Sequence, residues 1–194
     1  GAKGIYSFLK NKIKKRFNFI DNLEINKIDI PKKSLNIIIS KSGNTLETVA
    51  NFNSLGNRID SIFLTENKKS YLTKIANKLK SEIIEHNDFI GGRYSVLSET
   101  GMLPSLLMGL NIQKFKQLNN LIKKKNFVNN LVQNVGNILS FYKNNKSNSI
   151  ILNYDEKSND LFLWYQQLVA ESLGKKSKGI LPIISSMPRD NHSL

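Results

Sequence analysis

Cysteine is absent from the 194 residues, and histidine occurs only at His86 and His192. The lack of cysteine excludes a disulfide framework and every thiolate metal site, and two histidines leave little for a histidine-rich metal centre. No apolar run approaches the roughly 20 residues that a membrane-spanning helix needs. The sequence shows no signal-peptide pattern of a charged start, an apolar stretch and a cleavage site. We therefore expect a cytoplasmic protein.

Arginine is scarce in a chain that is otherwise strongly basic. The formal net charge is +14, yet only four of the 29 basic residues are arginine: Arg16, Arg58, Arg93 and Arg189. A basic chain can bind nucleic acid through its phosphates, but base readout favours arginine. The lysines are also spread along the whole chain, so we interpret the charge as a solvated surface. A nucleic-acid binder remains a rival hypothesis, which requires clustered arginine and interleaved aromatic residues.

Short apolar segments alternate with amphipathic segments along the chain. This alternation is typical of βα units around a parallel sheet, so the sequence predicts an α/β fold. We place a first α/β domain over residues 1–112, a helical connection over 113–147 and the beginning of a second α/β domain over 148–194. Strands are predicted at 16–21, 35–40, 61–65, 82–86, 150–154 and 179–184, and helices at 5–15, 46–55, 69–80, 101–110, 127–143 and 160–173.

A cluster of hydroxyl side chains lies where the second predicted strand ends and a helix begins. The crevice beyond the carboxyl ends of parallel strands is where open α/β sheets bind ligands. Asn44 and Glu47 form a capping-box pattern, which places the helix start close to them. A helix N-terminus surrounded by hydroxyls and an ammonium group suits a phosphate dianion. The alternative is an ordinary capped, solvated turn. The side chains concerned are Ser40, Lys41, Ser42 and Thr45.

Glu171 lies at an unusual position on its predicted helix. At about 100° per residue it falls roughly 20° from Trp164, inside an apolar stripe and one turn past Gln167. A carboxylate pressed against apolar neighbours loses solvation, so its pKa is expected to rise from about 4.3 toward neutrality, where a general base works best. The alternative is that the stripe has ended by the last turn, since Gly174 resembles a C-cap, and that Glu171 is solvated.

Three motifs occur in a fixed order. They are SKSGNTLET at residues 40–48, GGRYSVLSETGMLP at 91–104, and WYQQLVAESLGK at 164–175, which is followed by GILPI and HSL. Together they resemble the phosphoglucose isomerase family of sugar isomerase (SIS) domains, and the resemblance spans essentially the whole chain. It implies a parallel-sheet, flavodoxin-like SIS fold for the two α/β domains.

The resemblance also implies a reaction, the interconversion of glucose 6-phosphate and fructose 6-phosphate through a cis-enediol, in glycolysis and gluconeogenesis and without a cofactor or metal. It assigns the general base to Glu171 and stabilisation of the enediolate to Arg93. It assigns ring opening to His192, acting in the partner subunit's site of a homodimer. His86 lies outside the motifs and is interpreted as structural. The implied substrate-binding residues are Ser40, Lys41, Ser42, Thr45, Gly92 and Gln167.

Local patterns leave alternatives open for two of these residues. Arg93 follows two glycines and could equally form a structural ion pair beside a turn. His192 could be a surface histidine in a frayed tail. Two rival functions also remain: a non-catalytic sugar-phosphate-binding SIS module, and an SIS isomerase acting on another phosphosugar such as mannose 6-phosphate.

The resemblance departs from the family at both ends of the chain. The family's first glycine motif should end where this chain begins, so we expect the first domain to lack its first strand. The family's C-terminal helix, with a second ring-opening lysine, should follow residue 194. We therefore expect an internal fragment that is inactive by itself. Asn44 replaces a commoner threonine, a mild change on a loop whose backbone groups contribute to binding.

Overall fold

The computed structural model describes residues 1–23, 30–31, 33–55, 60–176 and 178–192. Arg58, Ser193 and Leu194, which the sequence analysis named, lie outside these residues. In chain order the helices are α1 (Ala2–Phe8), α2 (Leu46–Leu55), α3 (Tyr71–Leu79), α4 (Glu99–Leu107), α5 (Asn119–Ile122), α6 (Lys125–Lys143) and α7 (Asn159–Leu173). The strands are β1 (Asn36–Ile39), β2 (Ser61–Thr65), β3 (Glu82–Glu85), β4 (Asn148–Asn153) and β5 (Leu181–Ser186).

The chain divides into two compact units. Residues 15–104 form one unit, and residues 1–14 together with 105–194 form the other. Helix α1 belongs to the second of these units because it packs on α7. Gly4 makes this approach possible, since a Cβ at that position would lie only 3.3 Å from the carbonyl oxygen of Asp160. The domain bounds drawn from the sequence alone stay a prediction.

The unit of residues 15–104 is built on a parallel sheet in the order β1-β2-β3. The central strand is the most buried of the three, and Phe63 and Leu64 on it are fully buried. Helices α2 and α3 cover the sheet through a core in which the Phe52 ring meets the Phe63 ring edge to face at 5.3 Å. Successive side chains of a strand point to opposite faces, so the burial of both Phe63 and Leu64 shows that β2 is covered on both faces, which explains its continuous apolar run.

The other unit contains a parallel pair, β4 and β5, joined through α7. The pairing runs from Asn148 opposite Leu181 to Asn153 opposite Ser186. Gln166 ties the helix to the sheet, because its Nε2 donates to the carbonyl oxygen of Pro182 at 2.8 Å. This β4-α7-β5 unit places the start of α7 at the carboxyl end of β4.

The predicted α/β fold with parallel strands is confirmed. The strands predicted at 35–40, 61–65, 82–86, 150–154 and 179–184 are observed within two residues of the expected bounds. The strand predicted at 16–21 is wrong, because no strand of the described residues pairs with that segment. Its apolar alternation reflects a local contact instead, since the rings of Phe17 and Phe19 stack with centroids 6.4 Å apart. The first helix ends at Phe8, earlier than predicted, and a short 3₁₀ turn follows at Lys10–Lys12.

Candidate active site

The carboxyl ends of β1, β2 and β3 meet along one edge of their sheet. Just after β1, the Ser40 amide donates to the carbonyl of Leu64 at 3.1 Å, and the Glu66 amide donates to the carbonyl of Lys41 at 3.1 Å. The His86 amide, just after β3, donates to the carbonyl of Thr65 at 2.9 Å. The three segments that leave the sheet are therefore fixed side by side, which is where a parallel sheet positions a ligand site.

The hydroxyl of Ser40 organises the loop between β1 and α2. Ser40 is buried, and its Oγ lies 2.7 Å from the Oγ1 of Thr45 and accepts from the Gly43 amide at 3.1 Å. Ser42 Oγ accepts from the Asn44 amide at 3.2 Å. Ser42 is half-buried and Thr45 is exposed. The loop therefore presents these two residues to solvent above a buried, hydrogen-bonded Ser40.

Gly43 lets this loop lie against the start of α3. Its φ is +67°, in the left-handed region that favours glycine. The Gly43 carbonyl accepts from the Leu72 amide at 3.0 Å, and the Oδ1 of Asn44 accepts from the Tyr71 amide at 2.9 Å. The predicted capping box is wrong, because Asn44 Oδ1 bonds the first residue of α3, whose N-cap is Ser70, although α2 does begin close to Asn44, at Leu46.

The ammonium group of Lys41 joins the loop of residues 40–45, the hydroxyl loop, to the segment before Arg93. Its Nζ donates to the carbonyl oxygens of Asp88 and Ile90, both at 2.7 Å, and lies 3.4 Å from Glu66 Oε1. Glu66 is buried, at 8% exposure, and its other oxygen pairs with Lys68. Hydrogen bonding to Lys68, and less strongly to Lys41, lowers the pKa of the Glu66 carboxyl. The two loops are therefore joined through a charged network at the sheet edge.

This network predicts a loss of stability in acid. Because the folded pKa of Glu66 is lowered, its carboxylate stabilises the fold above the unfolded-state value, and this contribution is lost as the pH falls through the folded-state value. Glu66→Gln is therefore expected to unfold at lower denaturant concentration than the wild type at pH 7, with the difference shrinking below about pH 4. Urea midpoints measured from pH 7 to pH 3 test this. An equal difference at every pH would contradict the prediction.

Arg93 lies in the 3₁₀ turn Gly92–Leu97 and is half-buried. Its guanidinium carbon lies 5.1 Å from the centre of the Tyr94 ring. The turn is held by Ser95, whose Oγ donates to the carbonyl of Gly92 at 2.6 Å and accepts from Thr100 Oγ1 at 2.8 Å. A planar, permanently charged guanidinium on a fixed turn suits the stabilisation of a developing oxyanion.

Glu171 is exposed on α7, so the prediction that it packs against apolar neighbours is wrong. The helix ends at Leu173, with Gly174 as its C-cap, and Ala170 and Leu173 in the same last turn are exposed as well. Gln167 is exposed as well, and its Nε2 donates to Glu171 Oε1 at 2.8 Å. The adjacent glutamines thus differ in their hydrogen-bond partners: Gln166 bonds β5, whereas Gln167 bonds the carboxylate of Glu171.

His192 lies in the 3₁₀ turn Arg189–His192 and is exposed. Asp190 holds this turn to β5, because its Oδ2 accepts from the Ser186 amide at 2.7 Å and from Ser185 Oγ at 3.2 Å. Hydrogen bonding to Arg189 and then to the Ser186 amide lowers the pKa of the Asp190 carboxyl. Sequence reasoning that considered only the histidine missed Asp190. Its position two residues before His192 was the signal that could have pointed to it.

Glu171 and His192 lie toward opposite ends of the β4-α7-β5 unit. Asn153, at the end of β4, donates from Nδ2 to Asn159 Oδ1 at 2.6 Å and accepts at its carbonyl from the Met187 amide at 2.8 Å. The start of α7 and the segment that leads into the His192 turn therefore lie at the same end of the β4-α7-β5 unit. Glu171 is more than three turns further along the helix, about 18 Å away along its axis.

The described part of the chain contains neither a cluster of metal ligands nor a membrane-spanning helix. Its His, Asp and Glu side chains form no group of three that could hold a metal ion. No helix within the same residues is long and apolar enough to cross a bilayer.

The hydroxyl loop lies at the carboxyl edge of a parallel sheet and is joined to the segment before Arg93. These features place the chain in the class of α/β proteins whose sheet edge is suited to a phosphorylated ligand. The family model of phosphoglucose isomerase matches residues 11–181. The chain therefore belongs to the phosphoglucose isomerase family.

Curated relatives agree with this assignment. The chain is 33% identical to the glucose-6-phosphate isomerase of Methanocaldococcus jannaschii, over 91% of this chain and 48% of that protein. It is 34% identical to the glucose-6-phosphate isomerase of Mycoplasmopsis pulmonis and 35% identical to that of Fusobacterium nucleatum, in each case over 81% of this chain. The chain spans 40% and 38% of those two proteins, and so about half or less of the relatives it matches.

A solved structure shows the same fold. The crystal structure of the hypothetical protein TT0462 from Thermus thermophilus covers 99% of this chain with a TM-score of 0.79 and 23% sequence identity. The chain matches 52% of that protein's length.

Proposed function

We propose that the protein containing this chain is a cytoplasmic glucose-6-phosphate isomerase, which interconverts glucose 6-phosphate and fructose 6-phosphate in glycolysis and gluconeogenesis. The observation that carries the proposal is the hydroxyl loop around Ser40, which Lys41 joins to the segment before Arg93 through two 2.7 Å hydrogen bonds. This arrangement fixes a candidate phosphate site relative to a candidate oxyanion site. The names of the relatives supply the sugar.

In this proposal the hydroxyl loop binds the phosphate, and Gly92 and Arg93 lie near the C1 and C2 oxygens. Glu171 takes the proton from C2, the C–H electron pair forms the C1=C2 double bond of the cis-enediolate, and the electron pair of the C1 carbonyl moves to its oxygen. Arg93 stabilises this negative oxygen, which then receives the proton of the C2 hydroxyl. Protonated Glu171 returns its proton to C1 as the C2 carbonyl forms. No cofactor takes part, because the carbonyl acidifies the adjacent C–H bond. The residues proposed to hold the phosphate are Ser40, Lys41, Ser42 and Thr45.

Gln167 is proposed to assist Glu171 as well as to bind substrate. Its hydrogen bond of 2.8 Å holds one carboxylate oxygen of Glu171. A base whose orientation is fixed before the substrate arrives loses less entropy in the transition state.

A homodimer is proposed from the separation of Glu171 and His192. In one copy of the chain, Glu171 lies about 18 Å along the helix axis from the start of α7, which is the end of the β4-α7-β5 unit where the segment before His192 meets β4. A sugar phosphate cannot contact both at that spacing. His192 is therefore proposed to open the sugar ring in the active site of the partner subunit.

The proposed phosphate site is tested by the double variant Ser42→Ala/Thr45→Ala. Both residues are accessible, and a hydrogen bond to a charged group contributes about 1.5–3 kcal/mol. We expect KM for glucose 6-phosphate to rise at least ~10-fold, with a smaller fall in kcat, because phosphate binding also orients the reacting carbons.

Ser54→Ala is the matched control for this variant. Ser54 is exposed on α2, and its hydroxyl donates to the carbonyl of Ala50 at 3.0 Å, away from the hydroxyl loop. It should leave KM unchanged. A folded double variant with wild-type KM would contradict the assignment of the loop.

A non-catalytic sugar-phosphate-binding module is the second candidate, and the exposure of Glu171 favours it. Such a module binds glucose 6-phosphate through the hydroxyl loop without exchanging the C2 hydrogen with solvent. Incubating C2-deuterated glucose 6-phosphate with the protein separates the two candidates, since an isomerase releases the label into water.

A further inference from the structure

His86 is a buried titratable side chain at the end of β3, and the proposed mechanism does not use it. It is 1% exposed, and its ring is bonded on both sides. Nε2 lies 3.1 Å from the carbonyl oxygen of Ile90, and Nδ1 is in close contact with Glu99 Oε1. A carbonyl oxygen only accepts, so Nε2 carries hydrogen and donates it.

The carbonyl of Ile90 therefore receives two donors from different parts of the sheet edge. His86 Nε2 reaches it from the end of β3 at 3.1 Å, and Lys41 Nζ reaches it from the hydroxyl loop at 2.7 Å. Gly91 and Gly92 follow at once, and Arg93 comes next. Space around Gly92 is open, since a Cβ there would meet nothing within 4 Å. The carbonyls of Gly91 and Gly92 are held from the Arg93 side, by the Tyr94 amide at 2.9 Å and by Ser95 Oγ at 2.6 Å, and the Ile90 carbonyl is where this segment is held to the sheet edge.

We propose that His86 is a positioning residue for Arg93. It holds the Ile90 carbonyl against Lys41, and Glu99 holds the imidazole in the orientation that allows this. The inference rests on the proposed function for its kinetic consequence, but the geometry that it describes can be tested without turnover. A displacement of about 1 Å at a reacting group can lower the rate by up to about 100-fold.

Two substitutions of His86 separate the two ring contacts. The side-chain nitrogen of glutamine lies three bonds from Cβ, as Nε2 does, so His86→Gln can still donate to Ile90. The nitrogen of asparagine lies two bonds from Cβ, as Nδ1 does, so His86→Asn can still donate to Glu99 but does not reach Ile90. We expect His86→Asn to lower kcat about 10- to 100-fold with KM for glucose 6-phosphate within about threefold of wild type, and His86→Gln to recover most of the loss.

Binding assays separate positioning from a general structural defect. We expect His86→Asn to bind inorganic phosphate and glucitol 6-phosphate as the wild type does, since these ligands depend on the hydroxyl loop. It should bind a phosphorylated hydroxamate analogue of the enediolate at least ~10-fold more weakly, in parallel with kcat. Equal losses for all three ligands, or equal kcat values for His86→Asn and His86→Gln, would overturn the proposal.

A measurement without turnover keeps this inference distinct from the proposed function. In the 194-residue chain, His86→Asn is expected to speed hydrogen exchange at least ~10-fold at the Ile90 and Tyr94 amides, which donate to the carbonyls of Asn87 and Gly91, and His86→Gln is not. If the wild type lacks isomerase activity but this difference appears, the proposed function fails and the positioning of the loop stands. If exchange at the Ile90 and Tyr94 amides is the same in both variants, the positioning claim fails.

Glu99 gives a second route in case His86→Asn does not fold. Glu99→Gln keeps a group that can bond Nδ1, so both kcat and exchange should stay near wild type. Glu99→Leu is of similar size and removes the bond, so it should lower kcat about 10-fold and speed exchange at the Ile90 and Tyr94 amides. No difference between these two variants would also overturn the proposal.

Discussion

Glu171→Gln is expected to leave the protein folded and able to bind substrate, but almost without turnover. Glu171 is exposed, and its Oε1 accepts from Gln167 at 2.8 Å, a bond that the carbonyl of a glutamine can also accept. The amide cannot take a proton from C2, so kcat should fall about 10²- to 10⁴-fold, the usual contribution of general acid–base catalysis. Exchange of the C2 deuterium of glucose 6-phosphate with solvent should fall in parallel.

The matched control is Glu156→Gln, another exposed glutamate of the same unit. It changes the net charge by the same amount and should leave kcat unchanged. If Glu171→Gln still exchanges the C2 label near the wild-type rate, Glu171 is not the base.

Gly43→Ala is expected to cause the largest loss of stability among substitutions in the hydroxyl loop. Its φ of +67° strains any residue with a Cβ, and that Cβ would lie 2.1 Å from Ser70 Oγ and 2.9 Å from Thr65 Oγ1. Ser70 is the N-cap of α3, so relief of the overlap must move the start of that helix. Backbone strain and overpacking together predict a loss of about 3–5 kcal/mol in the free energy of unfolding, measured by denaturant titration.

Two glycine controls separate the causes. Gly109 has a φ of +82° and open space where a Cβ would lie, so Gly109→Ala should cost only the backbone strain, about 1–2 kcal/mol. Gly136 lies within α6 with open space around it, so Gly136→Ala should be neutral or stabilising by up to about 1 kcal/mol. If Gly43→Ala costs no more than Gly109→Ala, the contact with Ser70 does not constrain the loop.

The elements next to the hydroxyl loop could be predicted because their signals are local. The runs LNIIIS and SIFLT have the length and β-branched content of buried strands, and both form strands of the central sheet. The helix predicted over residues 46–55 is observed at the same bounds. The strand predicted at 16–21 had the same local signal but pairs with no strand among the described residues, and pairing is what makes an apolar segment a strand.

The sequence by itself determined the order of strands and helices, the hydroxyl loop at a strand end, and the three motifs that define the family. Periodicity and motif spacing extend over a few residues, and such patterns can be read without knowing what packs against them. The partners of Lys41, His86 and Asn44 depended on the tertiary structure. The parallel pairing of three strands brings Lys41 to the Ile90 carbonyl, 49 positions away in the chain, and Asn44 to the start of α3. The exposure of Glu171 was likewise decided by where α7 ends on its sheet, because a helical wheel gives the face of a side chain but not how far along the helix that face is covered.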